Sequence, residues 1–310
     1  MLQADIEDFL RNKTGWLKKS PTVLQERLFA LTGNWTGLDA LIEAQKNVRK
    51  ELKRTVVDDQ IKGRLFYDIE TTPNIVLSWR VGNKINLTPD NIIEERKIIC
   101  ISWKWENSKD TFSLHWDKDQ NDKDMIEKFV DVLHQADECI GHNSMNYDMK
   151  WIRTRALFHG IPVSPNIKQV DTLKIARRMF YLNSNKLDYI SKFLGHEGKL
   201  STEYGMWKKI LLNNDRKELQ KMVTYCEQDV RELENIFKEI RCYTKNASNF
   251  GIIENNDRCS CSECASKKLK YHKRLVTSGG TLSHEMKCEI CGTFTVFSNT
   301  DYTKRMKWTH

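Results

Sequence analysis

A chain of 310 residues is long enough for two or three domains around a sizeable core, so it is not a lone finger or ribbon. Its 39% hydrophobic and 10% aromatic residues, with 14 Gly and 5 Pro, exclude a collagen-like, Pro-rich or wholly disordered chain. The net charge of +8 lies in the flanks: 12 basic against 9 acidic residues over 1–64, 27 against 27 over 65–241, and 11 against 6 over 242–310. Basic flanks around a neutral middle suit a polyanionic partner, because phosphate neutralisation supplies most non-specific nucleic-acid affinity. Apolar runs such as Ile98-Ile99-Cys100-Ile101 fall far short of the ~20 residues needed to cross a bilayer. Met1–Asp5 has neither the basic nor the apolar region of a secretory signal, and the expectation is a cytoplasmic protein with no membrane partner.

Residues 1–62 read as helical, with apolar positions at Ile6, Phe9 and Leu10, at Val23, Leu24, Leu28 and Leu31, and at Leu38, Leu41, Ile42 and Val48. Ser20-Pro21 marks a helix start and Thr32-Gly33-Asn34 a stop. A short Gly-containing turn leads to a helix carrying Lys46, Arg49, Lys50, Lys53 and Arg54. That pattern allows a helix-turn-helix that binds DNA, or a small bundle that docks protein.

From Arg64 the pattern turns to strands and then alternates. Strands are expected at Leu65–Thr71, Lys97–Glu106, Asp110–Trp116, Glu138–His142 and Ile167–Val170. Helices are expected at Asp122–Gln135, Tyr147–His159, Thr172–Tyr181, Leu187–Leu194 and Lys217–Ile240. Strands first and alternation after argue an α/β fold with a mixed five-stranded sheet flanked by helices. Gly82-Asn83 suggests the turn of an extra hairpin between Val76–Val81 and Lys84–Leu87. The boundaries expected are a helical module at 1–62, an α/β domain at 63–242, a linker at 243–257 and a small β domain at 258–310.

Asp68-Ile69-Glu70 interrupts the apolar run Leu65–Thr71. A strand sends residues i and i+2 to one face, so both carboxylates leave a buried element together. Two adjacent like charges are costly unless a cation neutralises them, which points to a hard metal ion or to a solvated strand end. Asp148 opens a helix after Gly141-His142-Asn143, where the bland reading is a cap. Tyr225 and Asp229 share one helical face at i and i+4.

Asp-x-Glu on a first strand, Gly-His-Asn-x-x-x-Asp at a strand-to-helix turn and Tyr-x-x-x-Asp on a late helix follow one another over 64–241. This combination resembles the DEDD superfamily of 3′–5′ exonucleases, the DnaQ-like proofreading fold of RNase H-like topology, in its Tyr-containing DEDDy branch. Asp171-Thr172-Leu173, Leu187-Asp188-Tyr189-Ile190 and Leu194-Gly195 add to the resemblance. It implies hydrolysis of a 3′-terminal phosphodiester with two Mg²⁺ or Mn²⁺ ions. Asp68 would bridge both ions, Glu70 and Asp229 would complete the site carrying the nucleophilic water, Asp148 would serve the second ion and Tyr225 would orient the water. Thr71 and Asn143 stand where the family contacts the terminal nucleotide, and Met145 can pack on a base. The stretch Pro73–Arg96 is longer than the family's usual connection.

Nine cysteines in an intracellular protein argue metal or reduced thiols. Cys261-Ser262-Glu263-Cys264 and Cys288-Glu289-Ile290-Cys291-Gly292 form paired CxxC motifs, the spacing of one structural Zn²⁺ site, with Cys259 a competitor of Cys261. Strands at Leu269–Thr277, Thr281–Met286 and Thr293–Phe297 make the tail resemble a zinc ribbon. Lys268, Lys270, Lys273 and Arg274 around Tyr271 form a basic, aromatic strand suited to nucleic-acid backbone and base. The whole is expected to be a 3′–5′ exonuclease acting on DNA single strands or 3′ ends, as a stand-alone proofreading or repair nuclease of a phage or microbe, or beside a DNA polymerase or replication protein. The alternatives are a 3′–5′ exoribonuclease and a catalytically inert nucleic-acid-binding module.

Overall fold

Helices form in the first sixty residues where apolar periodicity meets capping residues. A computed structural model describes residues 3–13, 16, 19–58, 63–82, 84–196, 204–245, 247–255 and 257–308, without the side chains of 3, 49–58, 204, 255, 307 and 308. The chain divides into two compact units, Met1–Ile61 and Lys62–His310. In the first, α1 (Gln3–Asn12), α2 (Pro21–Thr32) and α3 (Leu38–Asp58) bury Ile6, Leu10, Leu24, Leu28, Leu41, Ala44 and Val48 in one cluster. Ser20 Oγ accepts the Val23 N–H at 3.4 Å, Pro21 takes the first helical position, and Gly33 at φ 72° ends α2. Val23, Leu31 and Ile42 share the periodicity but stay exposed, so the apolar stripe is narrower than the spacing suggests. The basic side chains expected at Arg49, Lys50, Lys53 and Arg54 lie outside the described residues.

The second unit is built on a five-stranded sheet. β1 (Arg64–Thr71) is followed by a small pair, β2 (Ile75–Val76) and β3 (Ile92–Glu94), then by β4 (Ile98–Trp105), β5 (Phe112–His115), α4 (Lys123–His134), β6 (Glu138–Gly141), α5 (Asp148–His159), β7 (Gln169–Asp171), α6 (Thr172–Met179), α7 (Leu187–Phe193), α8 (Tyr204–Asn213) and α9 (Arg216–Ile240). The spatial order is β5-β4-β1-β6-β7, with β1, β4 and β5 antiparallel and β6 and β7 joined in parallel. β1 is therefore central, and alternation sends its residues to two cores. Leu65, Tyr67 and Ile69 pack with α4 and α5, whereas Phe66 packs with Ile140 and with Val230, Leu233 and Phe237 of α9.

The expected hairpin is corrected. Pairing is confined to Ile75 with Glu94 and Val76 with Ile92, and residues 77–91 form no strand among those described. The reversal lies at Thr88–Asn91, where Asn91 Oδ1 accepts from Thr88 N at 2.9 Å and Thr88 Oγ1 at 3.2 Å around Pro89. Asn83 of the expected turn lies outside the described residues.

Residues 243–257, expected as a linker, contain α10 (Phe250–Asn255), because Phe250 is fully buried with the Arg64 guanidinium 3.9 Å from its ring centroid. The tail that follows is a three-stranded antiparallel sheet of β8 (Leu269–Val276), β9 (Leu282–Cys288) and β10 (Phe294–Ser298), closed by α11 (Asn299–Trp308), which sequence periodicity missed. It is tied to the larger sheet by a buried ion network. Arg64, at the start of β1, pairs with Glu138 at 2.9 Å, Glu106 at 3.2 Å and Glu263 at 2.7 Å. Arg241 adds contacts of 3.0 Å to both Glu106 and Glu263. Among the described residues no helix is long and apolar enough to cross a membrane.

Candidate active site

The even-numbered face of β1 that buries Phe66 against α9 carries Asp68 and Glu70 further along the strand, toward the same helix. α9 runs the opposite way, from Leu233 and Val230 beside Phe66 to Asp229, Cys226 and Tyr225. One ligand oxygen from each of Asp68, Glu70 and Asp229 lies within 4.8 Å of the others, with Asp229 buried and the other two half-buried. Three carboxylates so close repel one another, and their hard oxygen donors suit Mg²⁺ or Mn²⁺, so the residues present fit a divalent cation.

The surroundings are arranged to hold these carboxylates in place. The Cys226 thiol donates toward the Asp68 carbonyl at 3.4 Å and its Oδ2 at 3.6 Å. Cys226 and Cys100 are both buried below the pair, and burial pushes the Cys226 thiol well up, so it stays a proton donor. Cys226 follows Tyr225 on the same helix, and only the tertiary structure shows that its thiol meets Asp68.

Asp148 opens α5 and points to the strand rather than capping its own helix: Oδ1 accepts the Ile69 N–H at 3.3 Å. It is 4% exposed, and burial, with the Asp171 charge adding to it, pushes its carboxyl up to about 7. It stands outside the three-carboxylate group. Tyr225 is buried four residues before Asp229 on α9.

The loop from Gly141 to Asp148 is held from below by Asp171. Its carboxylate accepts the N–H groups of Asn143 at 2.9 Å and Met145 at 3.3 Å while capping α6 through Leu173 at 3.0 Å. Asn143 takes φ 65°, and a Cβ at Gly141 would meet Ser144 Cβ at 2.4 Å, so glycine is required there. His142 is held at both ring nitrogens, with Nδ1 at 2.9 Å from Thr172 Oγ1 and Nε2 at 2.9 Å from the Asn185 carbonyl.

Of the expected substrate contacts, Thr71 is 8% exposed, its hydroxyl 2.6 Å from the Tyr147 hydroxyl and its carbonyl accepting from Trp207 Nε1 at 3.1 Å. Trp207 belongs to α8, a helix the sequence reading did not find. Met145 Sδ lies 3.0 Å from Lys174 Nζ. Lys268, Lys270, Tyr271, Lys273 and Arg274 are exposed on or beside the tail strand β8, in the other sheet. Tyr271 packs 6.1 Å from His284 and 5.7 Å from Tyr302, while Lys273 lies 3.7 Å from Glu285.

The second cluster gathers Cys261, Cys264, Cys288 and Cys291, whose sulfurs all lie within 4.8 Å of one another. Cys261 and Cys291 are 3.6 Å apart, as are Cys264 and Cys288. Four sulfurs at about 2.3 Å from a tetrahedral Zn²⁺ would stand about 3.8 Å apart, so the set fits that ion. Cys259 turns away, its thiol donating to the Asp301 carbonyl at 3.4 Å, which removes it as a competitor. The Cys261 thiol, donating to Cys291, pushes Cys291 down to about 4, and burial pushes Cys264 up to about 12.

Residues 93–241 match the family described as RNase_H superfamily. The match takes in Asp148, Tyr225 and Asp229 and begins after Asp68 and Glu70. With the strand order described above, the larger sheet and its helices have the RNase H-like fold. No curated protein matches the chain. Among solved structures it is similar to the family B DNA polymerase of the hyperthermophilic archaeon Pyrobaculum calidifontis, at 17% identity and a TM-score of 0.45. That similarity covers 57% of this chain and 24% of the polymerase.

Proposed function

We propose that the chain is a metal-dependent 3′–5′ exonuclease of the DEDDy type that shortens DNA single strands or 3′ ends. The observation that carries this reading is the convergence of Asp68, Glu70 and Asp229 from a central strand and a late helix. A pair of bound Mg²⁺ or Mn²⁺ ions would lower the pKa of the attacking water and stabilise the attacking and leaving oxygens of an in-line displacement. Asp68, with Glu70 and Asp229, would hold the cations, and Asp148 would serve the second of them. The Tyr225 hydroxyl, one helical turn from Asp229, would orient the water. Cys226 keeps Asp68 in its rotamer by donating to it. Asn143 and Met145, on the loop fixed by Asp171, would receive the terminal nucleotide, with Thr71 beside them. Retention of all four acidic positions and the tyrosine favours a working enzyme over an inert binding module.

The four-cysteine cluster would hold one structural Zn²⁺, and the basic face of Lys268, Lys270, Tyr271, Lys273 and Arg274 would bind the strand backbone. The test uses 5′-labelled single-stranded DNA and RNA of one sequence, with Mg²⁺, with Mn²⁺ or with neither, beside the Asp68→Asn protein. A metal-dependent ladder shortening from the 3′ end, stronger on DNA and absent in the variant, is expected. Shortening from the 5′ end, activity retained by Asp68→Asn, or no shortening with either metal overturns the reading, and preference for the RNA ladder reassigns the substrate.

A further inference from the structure

Alternation gives the tail sheet two sides, and the cross-strand register of β8, β9 and β10 fixes which residues share each one. His284, Met286, Thr295 and Phe297 are buried on the side that α11 closes, where Tyr302 stacks on His284 with ring centroids 3.9 Å apart. Tyr271, opposite Met286, and Arg274, opposite His284, belong to that side. The other side carries Lys270, Lys287 and Phe294 in one row and Lys273, Glu285 and Val296 in the next. Lys270 and Lys273 are thus parted from Tyr271 and Arg274 by the thickness of the sheet.

This second side combines exposed apolar groups with amines. Phe294 is 42% and Val296 53% exposed. His272, the extra residue where the register shifts between Tyr271 and Lys273, leans over β9 to meet Phe294 with ring centroids 5.0 Å apart, and Lys287 Nζ stands 5.9 Å from the same ring. His272 Nε2 and Lys273 Nζ each lie 3.7 Å from Glu285 Oε2, whereas Lys270 and Lys287 have no carboxylate within ion-pair distance among the described residues. Three lysines against one glutamate leave this side cationic. An exposed ring beside free amines meets both needs of a nucleic-acid single strand, a surface on which a base stacks and cations that neutralise its phosphates. A duplex hides its base faces from such a ring, and an apolar protein surface would desolvate the lysines without pairing them.

We propose that the side of the tail sheet facing away from α11 is a platform for single-stranded nucleic acid, on which a base stacks on Phe294 while Lys270 and Lys287 hold phosphates. The inference rests on the reading of the tail as a strand-binding element and narrows it to one side of the sheet, with Phe294 and Lys287 as new contacts and Tyr271 and Arg274 set apart. Binding there does not require hydrolysis at Asp68, so the platform and the proposed nuclease activity succeed or fail separately.

The test is fluorescence anisotropy on the full-length Asp68→Asn protein, zinc-loaded and without Mg²⁺ or Mn²⁺, with a labelled oligothymidylate and with an abasic strand of the same length and charge. Phe294→Ala should weaken oligothymidylate binding about tenfold and leave the abasic strand unchanged, as expected for the loss of one stacked base. Phe294→Trp should bind at least as tightly as the parent, which separates stacking from damage to the sheet. Lys270→Ala with Lys287→Ala should weaken both strands and reduce the slope of log affinity against log salt by about 1.4, the value for two phosphate contacts on a single strand. Arg274→Ala, on the side of α11, should leave both affinities and the salt slope as they were. The proposal is overturned if Phe294→Ala binds oligothymidylate as the parent does, if it loses the abasic strand equally, if Phe294→Trp is as weak as Phe294→Ala, or if Arg274→Ala costs as much as the lysine pair. The last result would keep the tail as a strand-binding element and reject the division between its sides. A 3′-end ladder made by the unsubstituted protein would leave the nuclease reading intact in every one of these cases.

Discussion

The carboxylate cluster and the cysteine cluster both crowd like charges into one place, yet the protein supports them in opposite ways. Asp68 and Glu70 stand on the central strand of a five-stranded sheet, with buried clusters on both faces, and Asp229 stands on a helix of 25 residues. Their positions are set by the apolar core packed around the strand and the helix. Cys261, Cys264, Cys288 and Cys291 lie in or beside turns of a sheet whose outer strand β8 is almost wholly exposed. With so little core, a metal held there would itself be a folding element. One site would thus be a rigid place for cations to do chemistry; the other would be a place where a cation replaces a core.

That contrast can be broken from either side. Asp68→Asn should lower turnover by about three orders of magnitude or more while leaving the melting temperature within a few degrees, because it removes a ligand and not a packing group. Steady-state rates beside a thermal melt decide it; a collapse of the fold would show that the carboxylates are structural. Cys288→Ser should do the reverse locally. Metal analysis is expected to fall from one zinc per chain to near none, and amides of β8 to β10 should lose protection from hydrogen exchange, while those of β1, β4 and β6 keep theirs. Uniform protection in both sheets would mean that the tail has a sufficient core without metal.

Between the two sites lies the ion network of Arg64, and it should show how strongly they are joined. Arg64 and Glu138 are each 1% exposed, so Arg64→Met leaves the buried Glu138 carboxylate unpaired, with Glu106 and Glu263 held by Arg241 alone, and should cost about 3–5 kcal/mol, read from denaturant midpoints. Glu263→Gln is milder and should loosen the tail first, seen as early exchange in β8 to β10.

The smallest effect is expected in a buried network on the α5 side of the sheet. Burial pushes Asp122 up, but Arg155, His159 and the Ile98 N–H outweigh it and hold the carboxyl below its ordinary value of 3.8. A carboxyl with a lowered folded-state pKa stabilises the fold above its unfolded value, and the contribution fades as pH falls through the folded one. The melting-temperature advantage of the natural protein over Asp122→Asn should therefore be constant above about pH 5 and shrink below about pH 4. An advantage independent of pH would mean that Asp122 acts by packing alone.

Much of this was legible from residue order. Period-two alternation around Asp68 and Glu70 placed them on one face, and the i, i+4 spacing of Tyr225 and Asp229 placed those on another, because both periods are properties of the local backbone. The paired CxxC motifs identified the four sulfurs that meet. Less legible were α8, whose Trp207 reaches the carbonyl of Thr71 136 residues away, and the strand pair replacing the expected hairpin, since Asn91 rather than Gly82-Asn83 makes its reversal. Cys226 beneath Asp68, and Arg64 joined to Glu263 from 199 residues away, had no local signature at all.

By itself, then, the sequence determined which residues are candidates for the chemistry and on which face of its own element each one stands, since spacing, caps and metal-ligand motifs act within a few residues. Only the tertiary structure decided which faces meet. The opposed run of α9 against β1 brought Asp229 to Asp68, and the Arg64 network brought the cysteine-rich tail to the sheet. Those pairings follow from burying apolar area and matching charge across the whole chain, a sum that no short window of residues contains.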